Sequence, residues 1–254
     1  MKRFLAIILV VLVLMVMASY QNNNNLKLII SHLAFNNFIK NGELSYQVAL
    51  FNVVPAAEAV FKDKAGEDFK GGKVTHLSAE AKTSSIVSRF FSARAGLDSY
   101  INPANGNPLL FTQEIKTGKS DALKKEIYYD QNKHIMTIGG EERTILPDTH
   151  DPLSLMHKLR RMDFEKNRNF EMNINTNQKN YVLTARVTPR EVSFDKKRYQ
   201  LFLLKGDIKR RDKNPYHKSY ITIYFLKHED VNLPILVKVF ASGVLINVKL
   251  IKVQ

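Results

Sequence analysis

The apolar and polar positions divide the chain into three zones. Phe4 to Met17 is an unbroken apolar run. Leu26 to Lys40 carries Leu26, Ile29, Ile30, Leu33, Phe35, Phe38 and Ile39 at spacings that approximate one helical face. That predicts a short amphipathic helix, ended by Asn41-Gly42. From Glu43 onward the period falls to two. Leu44 to Asn52, Ala56 to Lys62, Lys73 to Lys82, Ser84 to Ser92 and Leu109 to Thr117 read as strands. Lys125 to Tyr129 and His134 to Ile138 read as a hairpin across Asp130 to Lys133. Tyr181 to Val187, Tyr199 to Leu204 and Tyr220 to Leu226 continue the series. Ile235 to Ala241 and Val244 to Val253 flank Ser242-Gly243, a two-residue hairpin turn with glycine where φ > 0 is needed.

One helix interrupts the strands. Asp151 suits an N-cap because its carboxylate can accept from free backbone N–H groups. Pro152 suits the first helical position, where its missing N–H is no loss. Leu155, Met156 and Leu159 share a face, and Lys158, Arg160 and Arg161 complement the dipole at the C-terminal end. Many strands with a single internal helix, at about 151–161, predict a mostly β fold. It is one large curved antiparallel sheet, a half-barrel or barrel-like, because such a sheet must bury one face. Tyr220 to Leu226 and Leu201 to Leu204 are apolar on both faces, so the second face is covered too. The cover is either helix and loops, giving a two-layer core, or a ligand in a greasy cavity.

The first zone changes the picture of where the protein works. Lys2 and Arg3 precede the apolar run, and Val16-Met17-Ala18 places small or compact residues before a polar, asparagine-rich stretch. That order predicts a secretory signal over 1–18, cleaved after Ala18. Retention as an uncleaved anchor is the alternative, disfavoured because the run is shorter than the roughly 20 residues of a spanning helix. A linker and the short helix occupy 19–40, and 41–254 forms a single β-rich domain. The expected location is periplasmic or extracellular. There is no cysteine, which excludes disulfides, thiol nucleophiles, thiolate metal sites and lipid attachment through a new N-terminal thiol.

Charge adds a partner class. The formal charge is +14, or +12 without Lys2 and Arg3. Outside the cytoplasm a basic surface meets anionic lipid, lipopolysaccharide or another envelope protein rather than nucleic acid, and peripheral membrane contact is compatible with it.

Candidate chemistry is sparse. Asp148, His150, Asp151 and His157 are the densest set of metal-competent side chains, but capping and turn roles account for Asp151 and Asp148. Gly118-Lys119-Ser120 lacks the earlier glycine of a phosphate loop. Ser154 has His157 three residues on, without an elbow motif or orienting acid. Glu43, Glu80, Glu114 and Glu126 fall on predicted strands, where a carboxylate pair would suit glycoside hydrolysis. No cofactor is expected and no catalytic residue stands out.

Several segments together resemble a known family. They are Gly42-Glu43-Leu44-Ser45-Tyr46-Gln47-Val48, Ala79-Glu80-Ala81-Lys82-Thr83, Pro108-Leu109-Leu110-Phe111, Tyr129-Asp130, and the helix Asp151-Pro152-Leu153-Ser154 to Leu159-Arg160. Tyr224-Phe225-Leu226 to Asp230 and Leu233-Pro234-Ile235 follow near the end. From roughly Asn41 to the C-terminus the chain resembles the bacterial exported family catalogued as domain of unknown function 3108. It departs where that family has Trp in the late strand, here Tyr224-Phe225, and where a glycine turn is expected, here Asp195-Lys196-Lys197. The resemblance implies an envelope protein with a curved antiparallel sheet, similar by fold analogy to periplasmic carriers that hold acyl chains.

The expected function is therefore non-enzymatic binding of an amphipathic or anionic, lipid-like envelope component, in or on the curved sheet. Phe202 and Tyr224 are the candidate tail contacts, and Lys209, Arg210 and Arg211 the candidate headgroup contacts. A protein–protein interaction module and, less favoured, a glycan hydrolase are the alternatives.

Overall fold

The computed structural model describes residues 26, 29–31, 43–51, 54–176, 178–211 and 218–253. The expected signal over 1–18 lies outside them, as does most of 19–40. The strands of the first half are β1 (Leu44–Leu50), β2 (Val54–Phe69), β3 (Gly72–Thr83), β4 (Ala93–Ile101), β5 (Pro108–Thr117), β6 (Leu123–Asp130), β7 (Ile135–Ile138) and β8 (Glu141–Thr144). After β9 (Thr149–His150) and helix α1 (Pro152–Arg161) come β10 (Asn169–Thr176), β11 (Lys179–Phe194), β12 (Lys197–Arg210), β13 (Lys218–His228), β14 (Val231–Ala241) and β15 (Val244–Val253).

All fifteen strands form one sheet, in the order β8-β7-β6-β5-β4-β3-β2-β1-β15-β14-β13-β12-β11-β10-β9. Every neighbour is sequential except at the β1–β15 joint. Pairing is antiparallel throughout, save the short parallel β9–β10 contact. The sheet curls because it is bulged. Register shifts fall at Ser45/Tyr46, Val48/Ala49, Ala65/Glu67, Tyr100/Ile101 and Tyr224/Phe225. Each adds a residue to one strand and bends it. At the third, Gly66 takes φ +81°, a conformation that a side chain would strain. The curl brings the free edges β8 and β9 toward each other without pairing them. Side chains bridge the seam instead. Asn180 Nδ2 donates to Thr144 O at 3.0 Å, and Asn173 Nδ2 to Pro147 O at 2.8 Å.

Helix α1 lies against the inner faces of β3, β4, β9, β10 and β14. Leu153 joins the core of the first half with Phe61, Leu77, Ile101, Phe111, Ile127 and Met136. Leu155 and Leu159 join that of the second half with Leu183, Phe202, Ile223 and Phe225. Phe164, just past the helix, packs edge-on to Phe202 at 5.5 Å and tilted on Phe225 at 5.1 Å. Asn232 of β14 closes the helix end, its Nδ2 donating to Met162 O at 2.8 Å and more weakly to Leu159 O at 3.4 Å. The opposite face of β12–β14 is apolar as well. Leu201, Leu226, Leu233 and Leu236 are buried there, and the helical residues Leu26, Ile29 and Ile30 are buried in the same cluster. Helix and sheet thus account for the two-faced apolar pattern of these strands.

Two sequence expectations need correction. Ser84 to Ser92 is not a strand but a loop around a single 3₁₀ turn, Val87–Arg89. Its aromatic and β-branched content serves the surface rather than a ladder. And the strand read over Ala56 to Lys62 is longer: β2 runs from Val54 to Phe69, with Pro55 near its start, where a missing N–H is tolerated.

Candidate functional site

The ionisable groups of the interior gather on α1. Its last two turns present His157, Arg160 and Arg161, at i, i+3 and i+4, to Asp63 of β2. His157 Nδ1 lies 3.1 Å from Asp63 Oδ2, Arg161 Nη1 3.2 Å and Arg160 Nη1 3.6 Å. Asp63 is enclosed, with 8% of its side chain exposed. Burial works to raise its pKa, but the His157 hydrogen bond and the charges of His157, Arg161 and Arg160 prevail and hold it at about 2. Arg160 is buried, its guanidinium 5.4 Å from the centre of the Phe61 ring. Nearby Tyr46 is raised by burial, with the Arg160 charge opposing. Asp63 follows Phe61 by two residues, so period two places it on the buried face. Its flanking lysines, Lys62 and Lys64, disguise it as surface.

The other end of the helix is fastened as the sequence predicts. The Asp151 carboxylate accepts from Leu153 N at 2.8 Å and Ser154 N at 3.0 Å. It also accepts from Ser99 Oγ of β4 at 2.6 Å, a tie not visible in sequence. Burial raises its pKa despite those donors. His150 is fully enclosed and receives a hydrogen bond from Lys158 Nζ at 3.1 Å. Burial, then the Lys158 charge, lower its pKa to about 4 against the pull of Asp148. Lys158 also pairs with Asp148 at 3.2 Å.

This arrangement separates the candidate catalytic groups. His157 serves Asp63, Asp151 serves the helix cap, and His150 serves Lys158, so the four metal-competent side chains do not converge. No group of three or more such residues among the described ones is placed to hold a metal ion. Ser154 Oγ donates to the Asp151 carbonyl at 3.1 Å rather than to His157. Of the four glutamates, Glu43 pairs with Lys62 at 3.1 Å. Glu80 and Glu114 flank Gly96 across three strands. With Glu126 they line an open groove of about 560 Å³ on the outer face, where Glu114 pairs with Lys124 at 3.2 Å.

The candidate ligand contacts fall in three environments. Phe202 is core, packed on Phe164. Tyr224 pairs with Leu203, whereas Phe202 pairs with Phe225, so Tyr224 faces the other side of the sheet, half-buried. Lys209 and Arg210 end β12, roughly 23 Å along the strand from Phe202, and Arg211 follows them. Lys209 is exposed, and Arg211 Nη2 donates to Asn173 Oδ1 at 2.9 Å. The inner space where a tail would lie beside Phe202 is taken by α1 and Phe164. An open groove of about 610 Å³ lies outside, over Gly206, between Thr184, Arg186, Lys205 and Tyr220.

A family model described as a protein of unknown function (DUF3108) matches residues 45–243. No curated protein matches the sequence. Among solved structures, the chain is similar to the crystal structure of a beta-barrel-like protein of domain of unknown function DUF1849 from Brucella abortus. The TM-score is 0.54 at 10% identity, covering 83% of this chain and 95% of that one. That likeness concerns the fold alone.

Proposed function

The chain belongs to the DUF3108 family of proteins of unknown function, and from that premise we propose a non-enzymatic role in the bacterial cell envelope. The protein is exported, freed of its signal after Ala18, and binds an anionic, amphipathic envelope component on the outside of its sheet. The observation that carries this reading is the occupied interior. Helix α1 fills the space that a carrier would leave for a tail, and Asp63, Asp151 and Asn232 fasten it there. Binding then falls to the exterior, which carries the excess of cations and favours polyanions through long-range attraction.

The test is co-sedimentation of the signal-free protein with phosphatidylethanolamine vesicles, with and without phosphatidylglycerol, over a salt series. Binding that requires phosphatidylglycerol and weakens as salt rises is expected. No binding to either vesicle refutes the reading.

A further inference from the structure

The antiparallel meander puts the turns after β1, β3, β5, β7, β10, β12 and β14 at one end of the sheet and the other turns at the opposite end. The two ends differ chemically. Of the ten large apolar side chains exposed among the described residues, eight lie in or within three positions of a turn at the first end. Only Tyr128 and Ile251 lie toward the second, so the bias is one of place and not of composition. Phe90 is 90% exposed, Leu123 71% and Ile86 60%, with Phe51, Val54 and Phe91 beside them. A single bare apolar residue needs no explanation, but a contiguous set marks an interaction surface.

The set is contiguous because hydrogen bonds lace its turns together. Phe51 N donates to Leu245 O at 2.9 Å, Ser84 Oγ to Pro55 O at 2.7 Å, and Gly118 N to Ser92 O at 2.7 Å. The loop Ser84–Ser92 is itself ordered. Its 3₁₀ turn brings Phe90 N and Phe91 N to Val87 O at 3.0 and 2.9 Å, so the two rings are presented without further loss of backbone entropy. Exposed Arg89, Arg94, Lys116 and Lys119 border the rings, and Lys209 and Arg211 stand on the same rim at the end of β12.

Resting on the reading above, we infer that the protein meets its partner edge-on, pressing this rim into the headgroup layer of an anionic phospholipid bilayer. Rings and aliphatic tips enter the boundary with the acyl chains while the cations lie among the phosphates, the division of labour that interfacial segments use. The tips project separately from successive turns. A fluid interface closes around such points, whereas a protein partner needs a complementary, well-packed surface.

The chain has no tryptophan, which makes the test direct. Phe90→Trp places a lone indole on the rim, and Asn132→Trp places one in an exposed turn at the opposite end. With vesicles containing phosphatidylglycerol, the indole at 90 is expected to shift to the blue and to be quenched by a lipid-borne quencher, and the one at 132 is not. Phe90→Asp is expected to weaken vesicle binding by about tenfold or more, with an unchanged far-ultraviolet circular dichroism spectrum because so exposed a side chain supports no core. Co-sedimentation of the protein with no shift at 90, or with a shift at 132, overturns the edge-on geometry alone. Failure of the unaltered protein to co-sediment overturns the underlying reading with it.

Discussion

Replacing Asp63 with asparagine tests whether the interior ion cluster fastens α1. The carboxylate compensates Arg160, which is buried, and accepts from His157 and Arg161. A neutral amide in its place would leave the guanidinium without a counter-charge in an enclosed site. Removing one partner of a buried pair costs about 3–5 kcal/mol, and the hydrogen-bonding capacity of the amide puts the expected loss near the lower figure. The lowered pKa of the carboxyl, which follows from the same contacts, gives a similar scale. Folding moves the carboxyl from 3.8 to about 2, worth about 2–3 kcal/mol at neutral pH. Because the folded value is the lower one, this stability is fully present above about pH 4 and is lost as pH falls toward about 2. Asp63→Asn should therefore lower the melting temperature by roughly 6–12 °C at pH 7, with the urea midpoint falling at constant slope. The gap from the unaltered protein should narrow below about pH 4. Adding Arg160→Met should recover most of the loss, since a buried pair can be exchanged for apolar packing at little cost. A change under about 0.5 kcal/mol at pH 7, or a gap that does not narrow in acid, would refute the assignment of Asp63 as the compensating charge.

Two further outcomes follow from single residues. His150 is buried with a pKa near 4 against 6.5 unfolded, so its neutral form contributes stability that is complete above about pH 6.5 and declines by about 3 kcal/mol toward pH 4. In His150→Gln, urea midpoints measured across that interval should lose most of this slope. In the β11–β12 turn, Asp195 and Lys196 sit at φ 48° and 60°, where a side chain is strained by about 1–2 kcal/mol. Lys196→Gly should raise the melting temperature by a few degrees in calorimetry, and no gain would show that the turn relaxes the strain in another way.

What was legible in the sequence is what local chemistry fixes. Asp151 and Pro152 begin α1 as read, and Ser242-Gly243 turns the last hairpin with both residues at positive φ. Strand β4 escaped notice because its inward positions, Ala93, Ala95, Leu97, Ser99 and Ile101, include small and polar side chains. One of them, Ser99, is there to reach Asp151. Strand β10 escaped because Asn169, Glu171, Asn173 and Asn175 alternate with Phe170, Met172 and Ile174, and two of the asparagines work in side-chain hydrogen bonds, Asn173 to the Pro147 carbonyl and Asn175 to Asn180 of the facing strand. The loop Ser84–Ser92 looked like a strand because residues that favour ladders also favour interfaces. Asp63 and its partners stand about a hundred positions apart, and no local pattern joins them.

The same distance in sequence hides the asymmetry of the two rims. At the second rim three hairpins are as tight as chemistry allows. Lys70-Gly71, Asp195-Lys196 and Glu229-Asp230 each fill a two-residue turn with polar residues or glycine, and the first residue of each is left-handed. Such turns match the twist of their strands and leave little chain to carry anything else. The first rim also has two-residue turns, at Gly139-Gly140 and Ser242-Gly243, but it spends nine residues, Ser84 to Ser92, between β3 and β4, where two would connect them. Extra loop on a rigid scaffold is where binding residues concentrate, and this loop carries the most exposed aromatic ring among the described residues. A curled sheet whose interior is filled by its own helix has its rims and outer face left for contact. One rim closes largely in polar turns, and the other holds apolar tips beside cations. The difference assigns contact to the apolar rim and water to the polar one.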